Sequence, residues 1–140
     1  MELPFVINLI SSFLLCGVIW LIQLVHYPFF HRAERDSFKE HMNFHKLRIS
    51  FIVMPLMVAE LGTSIWLSFS AADFTLLHRA GLGVVILIWF ATFFISVPLH
   101  EKLTSGYDES VVQKLVNSNW IRTILWSLKA ALGVMILFRI

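Results

Sequence analysis

Long apolar runs alternate along the chain with short polar connections. Four runs, about residues 3–25, 49–69, 80–99 and 120–138, each supply roughly the 20 helical residues that cross a hydrocarbon core of about 30 Å. The third carries no ionisable residue, the second carries Glu60, and the fourth carries Arg122 and Lys129. None of the runs alternates apolar with polar positions, as a barrel strand of about ten residues would. The pattern predicts an all-α integral membrane protein: an up-down four-helix bundle in a single domain, residues 1–140.

Composition fits the same class. Hydrophobic residues make up 58% and charged residues 14% of the chain, and the mean hydropathy is +0.78, more apolar than a water-soluble fold requires. The net charge is +2 without a basic cluster, which gives no support to nucleic-acid binding. Cys16 is alone, so neither an internal disulfide nor a zinc-ligand spacing can form. The first run reads as a retained span rather than a cleaved signal. Glu2 stands where a basic region would, and His26-Tyr27-Pro28 stands where small residues would permit cleavage.

Lysine and arginine set the expected orientation. Arg32, Arg35, Lys39, Lys46 and Arg48 flank or fill the first connection, and Lys102, Lys114 and Arg122 the third; the other side has only Arg79 and Arg139. Because short basic loops stay in the cytoplasm, both termini are expected outside it. The chain's size and simplicity suggest a bacterial inner membrane.

The first connection predicts more structure. Pro28 should end or loosen the first helix. Ser37-Phe38-Lys39-Glu40 has the form of a capping box, from which a helix should run unbroken into the second span and extend it into the cytoplasm. That helix carries His41, His45 and Arg48 on one face, with His45 about 6 Å and His41 about 12 Å beyond Ile49. Pro55 should kink it shortly before Glu60. In the third connection Gly106 permits a turn and Asp108 can cap a helix. Val111, Val112, Leu115 and Val116 make an apolar stripe, either an amphipathic inner helix before the fourth span or an inward extension of it. The second connection, about Ser70 to Arg79, is short.

Five of the six histidines, His26, His31, His41, His45 and His100, fall beside the same ends of the spans. His26, His45 and His100 come from three helices at one level, which makes them the candidate ligands of a transition metal or heme iron. Gln23, Arg48, Asn119 and Arg122 are available nearby, with Gln23, Arg48 and Arg122 the candidate cofactor contacts. The plainer alternative is a ring of imidazoles resting at the lipid headgroups, and His78 lies at the wrong end. Glu60 and Lys129, about 18 Å and 10 Å deep, form a second candidate constellation. It reads as a structural ion pair, as a proton acceptor at Glu60, or as a protonated glutamate bonded to a neighbouring helix. Trp20, Trp66, Trp89 and Trp126 are explained by packing and lipid contact.

The succession Gln23-x-x-His26-Tyr27-Pro28, Phe38, His45, Arg48-Ile49, Pro55-x-Met57-x-x-Glu60, Val97-Pro98-Leu99-His100 and Asn119-Trp120-Ile121-Arg122-Thr123 resembles a group of small bacterial four-span membrane proteins. The likeness covers nearly the whole chain. More distantly, the layout and the proline and Trp-Arg ends of the later helices are similar to the anthrone-oxygenase-like domain. The nearer resemblance implies an integral bacterial membrane protein; an oxygenase activity would be analogy of fold.

These features leave three functional classes. One is a membrane protein holding heme or a metal ion at the histidines for a redox role, with Glu60 accepting protons. A second is a non-catalytic subunit or scaffold that docks a membrane partner or a second copy of itself. The third is a proton-coupled carrier, which a single four-span chain without an evident internal repeat would serve only as an oligomer.

Overall fold

The computed structural model describes residues 2–70 and 73–138. All regular structure in these residues is helical. Four helices are long and apolar enough to cross a membrane: Leu3–Arg32, Phe38–Ser70, Thr75–Leu103 and Glu109–Phe138, the first to fourth spans. Arg139, one of the two cations expected on the side of the termini, lies outside the described residues.

The spans overrun the apolar segments at the histidine end because the helices keep packing there. Tyr27, Phe30, Phe38, Met42, Leu103, Val112 and Leu115 join Ile22 in one buried cluster, most of it beyond the apolar runs. Burying each such side chain contributes about 1.5–3 kcal/mol, enough to hold helix beyond the apolar runs. A second cluster deeper in the bundle contains Leu15, Ile19, Met57, Val84, Ile88 and Trp126.

Proline does not end the first span. A π-turn, Ile22–His26, precedes Pro28, and a second, Thr92–Ser96, precedes Pro98. In these turns the N–H of Tyr27 reaches the Ile22 carbonyl and that of Val97 reaches the Thr92 carbonyl, five residues back instead of four. The wider turn gives the proline ring room beside the preceding turn. The two turns and their prolines lie seventy residues apart in sequence. The two halves of the chain thus share an order of elements that their side chains do not announce.

The other local expectations divide. The second helix begins at Phe38 and runs unbroken through Pro55 to Ser70, but the Ser37 hydroxyl is buried without a partner, so no capping box forms. Asp108 does cap: its Oδ1 accepts the Val111 N–H at 3.1 Å, which holds its carboxyl below the usual range. The inner stripe is not a separate helix but the start of the fourth span, with Val112 and Leu115 fully buried. Gly106, at φ 149°, makes the preceding turn in a conformation that a side chain would strain.

Candidate functional site

The π-turns aim the site. Each adds one residue to a helical turn, so the residues beyond it are rotated by about 100° relative to a regular α-helix. On the first span this accompanies the inward placement of Tyr27, 1% exposed; on the third, His100 reaches the same layer.

Three imidazoles meet there. The His26 and His45 rings are 4.2 Å apart between centroids and tilted by 31°, and His45 and His100 are 5.9 Å apart and nearly parallel at 20°. The structure therefore brings His26, His45 and His100 together from three spans. His31 and His41 are exposed, and His78 is at the other end against Phe5.

A hydrogen-bonded chain fixes the third ring. His100 Nδ1 lies 2.7 Å from the Ser96 carbonyl, which can only accept, so this nitrogen carries the proton. Nε2 is then left as an acceptor for the Tyr27 hydroxyl at 3.0 Å. The Tyr27 oxygen in turn accepts from Arg122 Nη2 at 3.3 Å. Arg122 also donates to Asn119 Oδ1. Asn119 Nδ2 donates to Gln23 Oε1 at 2.8 Å, and Gln23 Nε2 donates to the Val116 carbonyl at 3.2 Å. Gln23 and Arg122 thus belong to the site. Arg48 does not: it is exposed and lies over the Phe44 ring. Tyr27 and Ser96 were missed from the sequence, where a phenol one residue before Pro28 was the only cue.

Above this layer the bundle encloses a cavity of about 130 Å³. Its polar end is made by Tyr27, His45, His100 and Arg122, and its apolar body includes Leu15, Ile19, Ile49, Val53, Met57 and Trp126. Exposed Ser50 and Met54 on the second span and exposed Val97 on the third also line it, so it opens sideways between those spans. Lys46 stands at this opening and is ion-paired with Glu101 across it.

His26 Nε2 and His45 Nε2 are buried without a partner, but the three rings are not posed as joint ligands of one metal ion. Metal ligation needs imidazole lone pairs converging on one point, whereas near-parallel stacked rings send theirs along separate planes. Nε2 of His100 is held by Tyr27. Among the described residues no three His, Cys, Asp or Glu side chains are grouped to hold a metal ion. The cavity approaches the roughly 150 Å³ that accommodates a single benzene, far less than a porphyrin needs.

Glu60 and Lys129 form a separate network deeper in the bundle. Glu60 is fully buried and accepts from Ser12 Oγ at 2.7 Å and Trp126 Nε1 at 3.1 Å. Lys129 Nζ donates to Asn8 Oδ1 at 2.7 Å and Ser12 Oγ at 3.3 Å. The expected direct ion pair is replaced by a bridge through Ser12: the only ion pair within 4.0 Å among the described residues is Lys46–Glu101. Asn8 extends the network to Ser64 and Thr63. Glu60 does not line the cavity; the Trp126 indole, which does, donates to it.

Fold and site together define an all-helical protein with four membrane-spanning candidates and a polar-ended cavity among them. Comparison with protein-family models, curated proteins and solved structures gives no match.

Proposed function

We propose that this chain is a ligand-binding protein of the bilayer, an up-down four-helix bundle whose cavity admits an apolar guest sideways from the lipid. The guest's polar head would meet Tyr27, His45, His100 and Arg122. One observation carries this reading: a ring-sized apolar cavity that opens between two spans and ends on a hydrogen-bonded Arg122–Tyr27–His100 chain. Pockets that bind small molecules combine an apolar wall with a few convergent polar groups in this way. The bundle arrangement is supported by contacts that alternate in depth. Asn8, early in the first span, bonds Ser64, late in the second; Ser68 bonds the His78 carbonyl, early in the third; and Lys129, late in the fourth, bonds Asn8.

In this reading the exposed cations Arg32, Arg35, Lys39, Arg48, Lys102 and Lys114 face the cytoplasm of a bacterial inner membrane, and both termini lie on the other side. The bilayer is both the solvent and the source of the guest.

The test is a neutral alkylbenzene carrying a photoreactive diazirine, added to the protein in phosphatidylcholine nanodiscs. Labelling should concentrate on Ile49, Val53 and Met57 and fall several-fold in Val53→Phe, which fills the cavity. Labels confined to lipid-facing Phe51 and Phe94, and indifferent to that substitution, would defeat the proposal.

A further inference from the structure

The spans bury three ionisable side chains that are acidic or strongly basic: Glu60, Arg122 and Lys129, at 0%, 7% and 5% exposure. Ser12 joins two of them, accepting from Lys129 and donating to Glu60, and these two opposite charges balance locally. Arg122 is left over. Its partners are the Tyr27 hydroxyl and the Asn119 amide oxygen, both neutral, and its Nε is buried with no partner at all. Among the described residues no carboxylate lies within 4.0 Å of it. The other cation on the cavity wall, Lys46, already has Glu101.

A buried guanidinium without a counter-charge is among the most costly arrangements a protein interior holds. Arg122 lines the cavity. Resting on the cavity reading proposed for this protein, we infer that the guest is an anion: an apolar body bearing one carboxylate, which takes Arg122 as its counter-charge.

Three features narrow the head to a carboxylate. Tyr27 and Asn119 both accept from Arg122 Nη2, so what the guanidinium keeps for a guest is its charge and the N–H groups of Nη1 and Nε, a small donor set that suits the two oxygens of a carboxylate. The polar end offers few donors, whereas a phosphate would bring three or four oxygens to satisfy. The cavity is also of single-ring size. Tyr27 and Asn119 hold the guanidinium in place, and the guest's apolar remainder leaves through the opening beside Ser50, Met54 and Val97. Because Trp126 lies between the cavity and Glu60, the anion does not face that carboxyl directly.

The experiment displaces the neutral photoprobe with para-octylbenzoate or its methyl ester, compared at equal mole fraction in phosphatidylcholine nanodiscs. The acid should displace the probe at a concentration on the order of a hundredfold below the ester's, as expected when one partner of a buried charge pair is removed. Arg122→Gln should abolish this preference, and Arg122→Lys should retain part of it. Should Arg122→Gln fail to fold, the comparison of acid with ester on the parent protein still decides. Equal displacement by acid and ester overturns the anionic guest while leaving the cavity reading intact. Failure of the photoprobe itself to label the cavity overturns both. Displacement by phosphatidylglycerol in preference to the benzoate overturns the carboxylate and assigns the anion to a lipid phosphate.

Discussion

Ser12 holds the deep network together, and Ser12→Ala is its most direct test. The hydroxyl donates to Glu60 at 2.7 Å and accepts from Lys129 at 3.3 Å. Alanine removes both bonds and leaves a carboxyl oxygen and an ammonium proton unmatched inside the bundle. Hydrogen bonds between membrane helices average about 0.6 kcal/mol and reach about 1.7, while bonds to charged groups run to about 1.5–3 kcal/mol. The short bond to Glu60 belongs at the upper end and the long bond from Lys129 at the lower. Their sum predicts a loss of about 1.5–3 kcal/mol.

Reversible unfolding in bicelles, followed by helical circular dichroism, measures this loss. Ser50→Ala is the control, because its exposed hydroxyl returns to the Lys46 carbonyl of its own helix; it should cost less than about 0.5 kcal/mol. A double-mutant cycle with Glu60→Gln and Lys129→Met gives the second readout. Their coupling should shrink by at least half in the Ser12→Ala background, since Ser12 carries it. A Ser12→Ala protein within about 0.5 kcal/mol of the parent, with the Glu60–Lys129 coupling unchanged, would show that the two charges interact directly and would refute the bridge.

Tyr27→Phe should cost about 1–3 kcal/mol in the same assay, because it strips His100 Nε2 and one Arg122 N–H of their shared partner; no loss would mean that the chain does not form. At Gly133 an added Cβ would stand 2.7 Å from Leu9 Cδ1, the movable end of a half-buried side chain, so in Gly133→Ala the overlap should offset the roughly 1 kcal/mol that alanine gains over glycine in a helix and leave no net stabilisation. Adding Leu9→Ala should recover part of the overlap term beyond additivity, and strictly additive effects would exclude the clash. Asp108 titrates below its ordinary value of 3.8 because it accepts the Val111 N–H. Its support for the helix start is therefore complete above that ordinary value and lost as pH falls through the depressed one. Hydrogen exchange at the Val111 amide, corrected for its intrinsic pH dependence, should quicken over that interval; in Asp108→Ala the step should be absent.

Depth was legible in the sequence and rotation was not. Rise per residue puts His26, His45 and His100 at one level whatever the packing, and the structure brings the three rings together. Arg48 occupies the same level, yet it faces outward over Phe44, because the inward face of a helix is chosen by its neighbours. The π-turns escaped for a related reason. Pro28 and Pro98 signal a disturbed helix, but a proline can end a helix, bend it or follow a widened turn, and packing decides which. Ser37 illustrates the limit of short motifs: its residue types suit a capping box, while its hydroxyl lies buried and unmatched. Glu60 and Lys129 were recognisable as a polar pair from their depths; the intervening Ser12 was not, since a serine in an apolar run is ordinary.

The cavity and the charges constrain one another. Had Arg122 been offset by a carboxylate, the polar end would be self-sufficient and the cavity could be read as a packing defect. Had the cavity been filled, Arg122 would have to be explained by its neutral partners alone. Instead the guanidinium that lacks a counter-charge is on the wall of this cavity, and the two charges that balance each other are kept off that wall by Trp126. The π-turns supply the geometry. They allow the first and third spans to pass a proline without ending, so that Tyr27 and His100 can hold the guanidinium side of the cavity while the second and third spans stay parted beside Ser50 and Val97. Backbone irregularity is tolerated at membrane depth where protein packing or a cavity accommodates it, and here it lies beside both.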